Sequence, residues 1–321
     1  MSTVLKIELP KDYSTAEQGV SQSIMGSWGC RRKMMLVLNR WRSNPNGNTY
    51  FGTAFHDCFE GMYTKKPLAF SQKLFSKVSS ASQMREIKEA HNQALIEKMA
   101  DAYEKNAIIF PEYMNHFLKA DSKRDWFKLE AEFNFIWMPA GKSGSRWRLR
   151  GKVDGIFKDK KGKYWIIEHK TKGRIIEDVL QKVLTFNFQN LFYILGCEQQ
   201  FGIKISGVLY DIIRNPGTKP KVNETKKQFA ERLQKDICKN PDYYFKRIEL
   251  FYSKAERDEF TDELAMKLGE IDAVLAGDLP VYRNECICEK PFPCEFLDTC
   301  SSGTFAGLVQ KDTLFSELSE K

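Results

Sequence analysis

The stretch YWIIEHKTKG, residues 164–173, begins as a strand and then turns polar. Tyr164, Trp165, Ile166 and Ile167 are aromatic or β-branched, the types that suit a pleated, half-buried surface. Glu168, His169 and Lys170 follow at once. Side chains alternate faces along a strand, so Glu168 and Lys170 share one face, to which His169 offers only its backbone carbonyl. A carboxylate and a carbonyl are hard oxygen donors of the kind that Mg²⁺ or Mn²⁺ prefers. An acid and an ammonium so spaced can act on one bound group. The plain alternative is a strand end entering solvent with an exposed ion pair, worth about 0–1 kcal/mol.

The preceding segment supplies a second acid. RWRLRGKVDGIFKD (146–159) reads as a strand and KKGK as a turn, which makes 146–170 a hairpin. Antiparallel pairing about that turn sets Asp154 opposite Glu168, within a residue or two of register. Two carboxylates from neighbouring strands, a carbonyl and a lysine make a metal-assisted hydrolytic site. The metal would lower the pKa of a bound water and polarise a phosphoryl oxygen. Lys170 would orient or deprotonate that water, or offset charge in the transition state.

Around this hairpin the chain reads as helix over most of 14–43 and 53–120. WFKLEAEFNFIW (126–137) alternates apolar and polar residues as a half-buried strand. A helix is expected over about 177–200, a strand over ISGVLYDIIR (205–214) and a helix over about 254–276. Asp211 ends its apolar strand as Glu168 does, with no partner motif. Strands grouped in the middle with helices on both sides predict an α/β layout around one mixed sheet. At 321 residues this makes one catalytic domain: a mainly helical region 1–120, a sheet core 121–215, and a helical, cysteine-rich part 216–321 packing back on it.

Lys and Arg number 50 against 42 Asp and Glu, a net charge of +8 that favours a polyanionic partner. The excess is local, with Lys158, Lys160, Lys161, Lys163, Lys170, Lys172 and Arg174 close together. No secretory signal and no apolar run of about 18 residues is visible, so no membrane partner is expected. The expected setting is the cytoplasm, that of a host if the source is viral. There, eight cysteines point to metal binding or free thiols before disulfides. No phosphate-binding GxxxxGK[ST] motif is present, so the chain brings no motor of its own.

GKVDG followed by WIIEHKTKG resembles the D…(D/E)xK core of the PD-(D/E)XK nuclease superfamily, specifically its RecB-like branch. The resemblance implies a restriction-endonuclease-like fold in which Asp154 and Glu168 ligate Mg²⁺ or Mn²⁺, with Lys170 catalytic. YFGTAFHDCFEG (50–61) matches the branch's upstream histidine motif and implies that His56 is a further ligand. FNFQNLFYILG (186–196) holds a Q-x-x-x-Y pair, Gln189 and Tyr193, four apart on one helical face. In the family this pair contacts DNA and supports the active site.

The cysteines extend the likeness. RNECICEKPFPCEFLDTC (283–300) places Cys286, Cys288, Cys294 and Cys300 together, with Cys30 far upstream. This resembles the iron–sulfur members of the branch, in which one N-terminal and three C-terminal cysteines hold a [4Fe–4S] cluster. Family spacing selects Cys30, Cys288, Cys294 and Cys300, with Cys286 as substitute for Cys288. Four thiolates suit zinc equally well, and Cys286, Cys288, Cys294 and Cys300 could form a closed zinc site. Phage-type and CRISPR-adaptation-type members imply a DNA exonuclease acting on single strands or free ends, with partners in replication, recombination or repair. A flap-directed endonuclease, an RNA-directed nuclease and a non-catalytic nucleic-acid-binding protein are the other readings.

Overall fold

The hairpin forms, and it sits in the middle of a five-stranded mixed sheet. The computed structural model describes residues 7–43, 47–63, 93–139, 144–289, 293–315 and 318. In chain order the elements are α1 (Gln22–Met25), α2 (Arg31–Leu38), β1 (Trp41–Ser43), α3 (Gly47–Tyr63), α4 (Gln93–Asp121), β2 (Asp125–Trp137), β3 (Trp147–Lys158) and β4 (Tyr164–Lys172). Then follow α5 (Glu177–Leu184), α6 (Phe188–Phe201), β5 (Ile205–Arg214), α7 (Lys226–Lys239), α8 (Pro241–Tyr244) and β6 (Phe245–Leu250). The chain continues through α9 (Lys254–Leu275), a 3-10 turn (Glu285–Ile287), α10 (Leu297–Ser302) and β7 (Leu308–Gln310). The large sheet runs β2-β3-β4-β5-β6, antiparallel except for the parallel pair β4–β5. Helices lie on both faces, as the α/β expectation requires.

Three expectations change. Of the helix expected over most of 14–43 only Gln22–Met25 and Arg31–Leu38 form, and residues 41–43 are a strand paired with β7. The helix expected over 177–200 is two, because the Asn187 side chain accepts the Asn190 N–H at 3.0 Å and starts α6 afresh. The mixed segment before 254 contains the edge strand β6. Part of the helical expectation, residues 64–92, lies outside the described residues.

One sheet face is covered by α6. A Cβ at Gly151 of β3 would lie 2.4 Å from the Phe133 ring of β2, and one at Gly196 of α6 would lie 2.5 Å from that same ring. Two missing side chains thus let Phe133 fill the space between sheet and helix. This draws α6, with Gln189 and Tyr193, down onto the strands. On the other face, Phe51, Phe55 and Phe59 recur every fourth residue along α3 and pack on Phe110 and Tyr113 of α4. That packing fixes where α3 presents His56.

The sheet is not regular throughout. Glu130 of β2 has φ 44°, a left-handed conformation rare outside glycine. At that point the strand changes phase: Leu129 packs with the α3–α4 core, whereas Ala131 and Phe133 pack in the core beneath α6. The single alternating face read from residues 127–135 is therefore broken in the middle. Asp154 is the β3 residue at the same level, between Val153, paired with Ala131, and Gly155, paired with Leu129. Such irregularities re-aim side chains.

Candidate active site

The β3–β4 ladder pairs Lys158 with Tyr164 and stops at Gly155 with Ile167. The next pair in that register is Asp154 with Glu168, as the hairpin reading expected, but there the strands part. Beyond the fork Val20 takes the edge of β3 that β4 has left, accepting the Arg150 N–H at 2.9 Å and donating to the Arg148 carbonyl at 2.9 Å. The Asp154 carboxylate bridges the fork itself, accepting the His169 N–H at 2.6 Å. Within an extended residue the N–H and C=O point to the same side, so the His169 carbonyl is directed into the same opening.

Side chains converge on the fork from both faces. From α3, His56 Nδ1 lies 3.2 Å from Asp154 Oδ1. From α6, Gln189 Nε2 donates to Glu168 Oε1 at 2.9 Å and also lies 3.0 Å from the Tyr193 hydroxyl. Lys170 Nζ sits 2.5 Å from the same Glu168 oxygen. The structure thus brings together all seven residues of the expected hydrolytic site.

Charge in the fork is finely set. Burial pushes the Glu168 carboxyl up, and the Asp154 charge adds to it, against the pull of Lys170, leaving it at about 7. Burial would also raise Asp154, but His56, the His169 side and Lys170 outweigh it and hold that carboxyl well below the usual range. Burial alone would lower the Lys170 pKa; the Glu168 and Asp154 charges outweigh it and favour the ammonium.

Two paired carboxylates, one of them reluctant to ionise beside the other, form a place where a cation is favourable. Glu168 Oε2 is buried without a hydrogen-bond partner, although Oε1 has two donors. Such an orphan oxygen beside a backbone carbonyl fits a hard divalent ion. Among the described residues, no three His, Cys, Asp or Glu side chains are clustered tightly enough to form a complete ligand shell. The reason at the fork is visible: Asp154 is turned to His56 and the His169 N–H, and Glu168 to Lys170 and Gln189.

The cysteines gather without closing. Cys30 and Cys294 act on the Cys288 thiol, and Cys30, Cys294 and Cys288 act on that of Cys300; burial is the main reason both thiols are raised. The Cys294 N–H donates to the Cys288 carbonyl at 2.8 Å. Cys286 is exposed, on the turn that its neighbour Asn284 caps. The expected iron–sulfur set is thus a neighbourhood of four soft donors, not a formed shell, and residues 290–292 of its loop lie outside the described residues. Its donor chemistry fits a cluster or zinc; its present spacing holds neither.

Other expectations move further. Lys160, Lys161 and Lys163 are exposed on the β3–β4 turn. Glu168 is four to five residues up the strand, roughly 15 Å at about 3.3 Å per residue, so these lysines do not reach the fork. A buried network that sequence reading missed lies behind it. The His169 ring stacks on Phe59, centroids 3.6 Å apart, and its Nδ1 is 2.7 Å from Asp211 Oδ2. Asp211 also accepts from the Tyr113 hydroxyl. Arg247 Nε lies 3.3 Å from Asp211 Oδ1, and its two terminal nitrogens each reach Asp121 at 2.7 Å. Burial would raise Asp211, but Arg247, His169 and Tyr113 hold it at about 2. An acid inside an apolar strand was the available signal; its partners Tyr113 and Arg247 are 98 and 36 residues away in the chain.

The forked mixed sheet, with an acid on either side and an acid–x–lysine strand end, defines a hydrolytic site on a restriction-endonuclease-like α/β fold. The family model of the PD-(D/E)XK nuclease superfamily matches residues 28–301, and the chain belongs to that superfamily. Nucleases of this superfamily generally use Mg²⁺ or Mn²⁺. No curated protein sequence matches the chain. Among solved structures, a protein of Eubacterium rectale, provisionally described as an exonuclease, aligns at 18% identity over 88% of this chain and 92% of its own, with TM-score 0.46. The protein SSO0001 aligns at 14% identity over 70% of this chain and 82% of its own, with TM-score 0.30. Among the described residues no helix is long and apolar enough to cross a membrane.

Proposed function

We propose that this nuclease is a divalent-metal-dependent deoxyribonuclease that removes nucleotides from single strands or free DNA ends. The observation that carries the metal dependence is the orphaned Glu168 Oε2, buried in the fork opposite Asp154. Asp154, Glu168, the His169 carbonyl and His56 would hold Mg²⁺ or Mn²⁺. When bound, the ion supplies charge against the phosphoryl oxygens and a more acidic water. Lys170 keeps its proton and places positive charge where negative charge develops on the phosphate. Gln189 fixes the Glu168 rotamer and is itself held by Tyr193. His169, clamped by Phe59 and Asp211, fixes the strand end on which its carbonyl lies.

The test is cleavage of end-labelled single- and double-stranded DNA with Mn²⁺, wild type beside Glu168→Ala, with an RNA strand of equal sequence alongside. Wild-type cleavage that EDTA and Glu168→Ala both abolish is expected, with a ladder of products growing from one end. A product from internal cutting replaces exonuclease by endonuclease. Preference for RNA replaces the substrate. If wild type binds DNA yet cuts nothing with Mn²⁺ or Mg²⁺, the chain is a binding protein that keeps a catalytic constellation.

The same reading gives Cys30, Cys288, Cys294 and Cys300 to a [4Fe–4S] cluster of structural role. Protein purified without oxygen is expected to be brown, with Cys300→Ala losing both colour and folded yield and Cys286→Ala losing neither. Bound zinc without iron in the wild type would make the site a zinc site. Loss of metal in Cys286→Ala but not in a Cys30 variant would favour the closed set of C-terminal cysteines.

A further inference from the structure

The fork does more than expose Asp154 and Glu168. Where Val20 replaces β4 along β3, a cleft of about 390 Å³ opens beside the catalytic groups. Its walls are the start of α1 (Ser21 to Ile24), Gly151 and Lys152 of β3, Tyr193 of α6, Arg42 of β1, and the segment after β7 (Lys311, Thr313, Leu314). Arg42, Lys152 and Lys311 and several hydroxyls line it, Lys152 being paired with Glu130 at 2.6 Å. Tyr193 ties it to the reacting centre, since its hydroxyl meets Gln189, which holds Glu168.

This combination has a definite chemistry. Ligand sites span about 300–1,000 Å³, and a cleft at the low end of that range matches a single nucleotide. Lys311 and Arg42 suit a phosphodiester backbone. The Tyr193 ring beside Leu314 suits the face of a base, and stacking is blind to sequence.

Resting on the nuclease reading, we infer that this cleft is the subsite for the unpaired nucleotide next to the scissile phosphate, so that the substrate strand enters the fork singly. Lys311 and Arg42 hold its backbone, and Tyr193 stacks its base. A duplex is then cut only where its end has opened.

The test uses the full chain and an oligothymidylate. Binding is measured by fluorescence anisotropy in EDTA, where no cleavage occurs, for wild type, Lys311→Glu and Ser23→Trp. Ser23 and Lys311 are both exposed, and the tryptophan would fill the cleft mouth. Lys239→Glu, an exposed reversal on α7 away from the cleft, is the control. Both cleft variants should weaken binding about tenfold at low salt, and Lys311→Glu should flatten the salt dependence by about one ion, with the control unchanged. In cleavage, KM should rise by the same factor with kcat retained. Equal binding by all four proteins overturns the subsite, even if wild type cleaves normally. Weakened binding in the two cleft variants with no wild-type cleavage keeps the cleft and removes the nuclease reading.

Discussion

Replacing Lys170 with alanine is expected to slow DNA cleavage by about 10²–10³-fold, the usual effect of removing one preorganised charge from a transition state. DNA affinity should stay close to that of the wild type, because Lys170 is aimed at Glu168 and is mostly covered. The residual rate carries a further sign. Lys170 is a main influence lowering the Glu168 carboxyl against its burial. Without it, Glu168 needs a higher pH to ionise, so the rise of residual activity with pH should be displaced upward from that of the wild type, which rises through about 7. Single-turnover rates between pH 6 and 9, with binding measured in parallel, check both parts. A variant that turns over like the wild type would end the assigned role.

Arg247→Met should cost about 3–5 kcal/mol of stability, because it strands a buried carboxylate. Asp121 and Asp211 are 2% and 0% exposed; Asp211 loses its guanidinium partner and Asp121 loses one of two, keeping Arg124 at 2.9 Å. The pH dependence separates this from simple loss of packing. In the wild type the Asp211 carboxyl is lowered to about 2, so its contribution is fully present above the ordinary carboxylate pKa of 3.8 and is lost as pH falls towards 2. In the variant, burial acts unopposed by Arg247 and raises that carboxyl, which becomes neutral under mild acid. The gap in melting temperature between the two proteins should therefore be widest near neutrality and close as pH falls. A gap constant with pH would mean that the arginine acts through its stack on Phe117 alone, its guanidinium carbon being 3.7 Å from that ring.

The parts of the site legible in the sequence were those encoded by local period. A two-residue alternation and a polar turn were enough to set Asp154 against Glu168, and a four-residue spacing put Gln189 and Tyr193 on one helical face. The fork was not legible. Val20 takes the freed edge of β3 from over a hundred residues away, and the left-handed Glu130 on β2 at the same level is a conformation that glutamate does not advertise. β6 escaped notice because FKRIEL neither alternates cleanly nor runs apolar; it is an edge strand buried at its two ends. The Asp211 network was invisible for another reason: Tyr113, Asp121 and Arg247 are unremarkable until the fold closes around them.

The pairing of β1 with β7 has a bearing on the order in which the nuclease becomes competent. Arg40 donates to the Asp312 carbonyl at 2.7 Å across 272 positions of chain. Contacts so remote are expensive to nucleate and form late, whereas the β3–β4 hairpin closes locally and early. A chain emerging from the ribosome can therefore assemble its acids well before Lys311 and Thr313 arrive to wall the cleft. A chain still lacking this segment would hold its paired acids beside an unwalled cleft, so the proposed subsite is completed last.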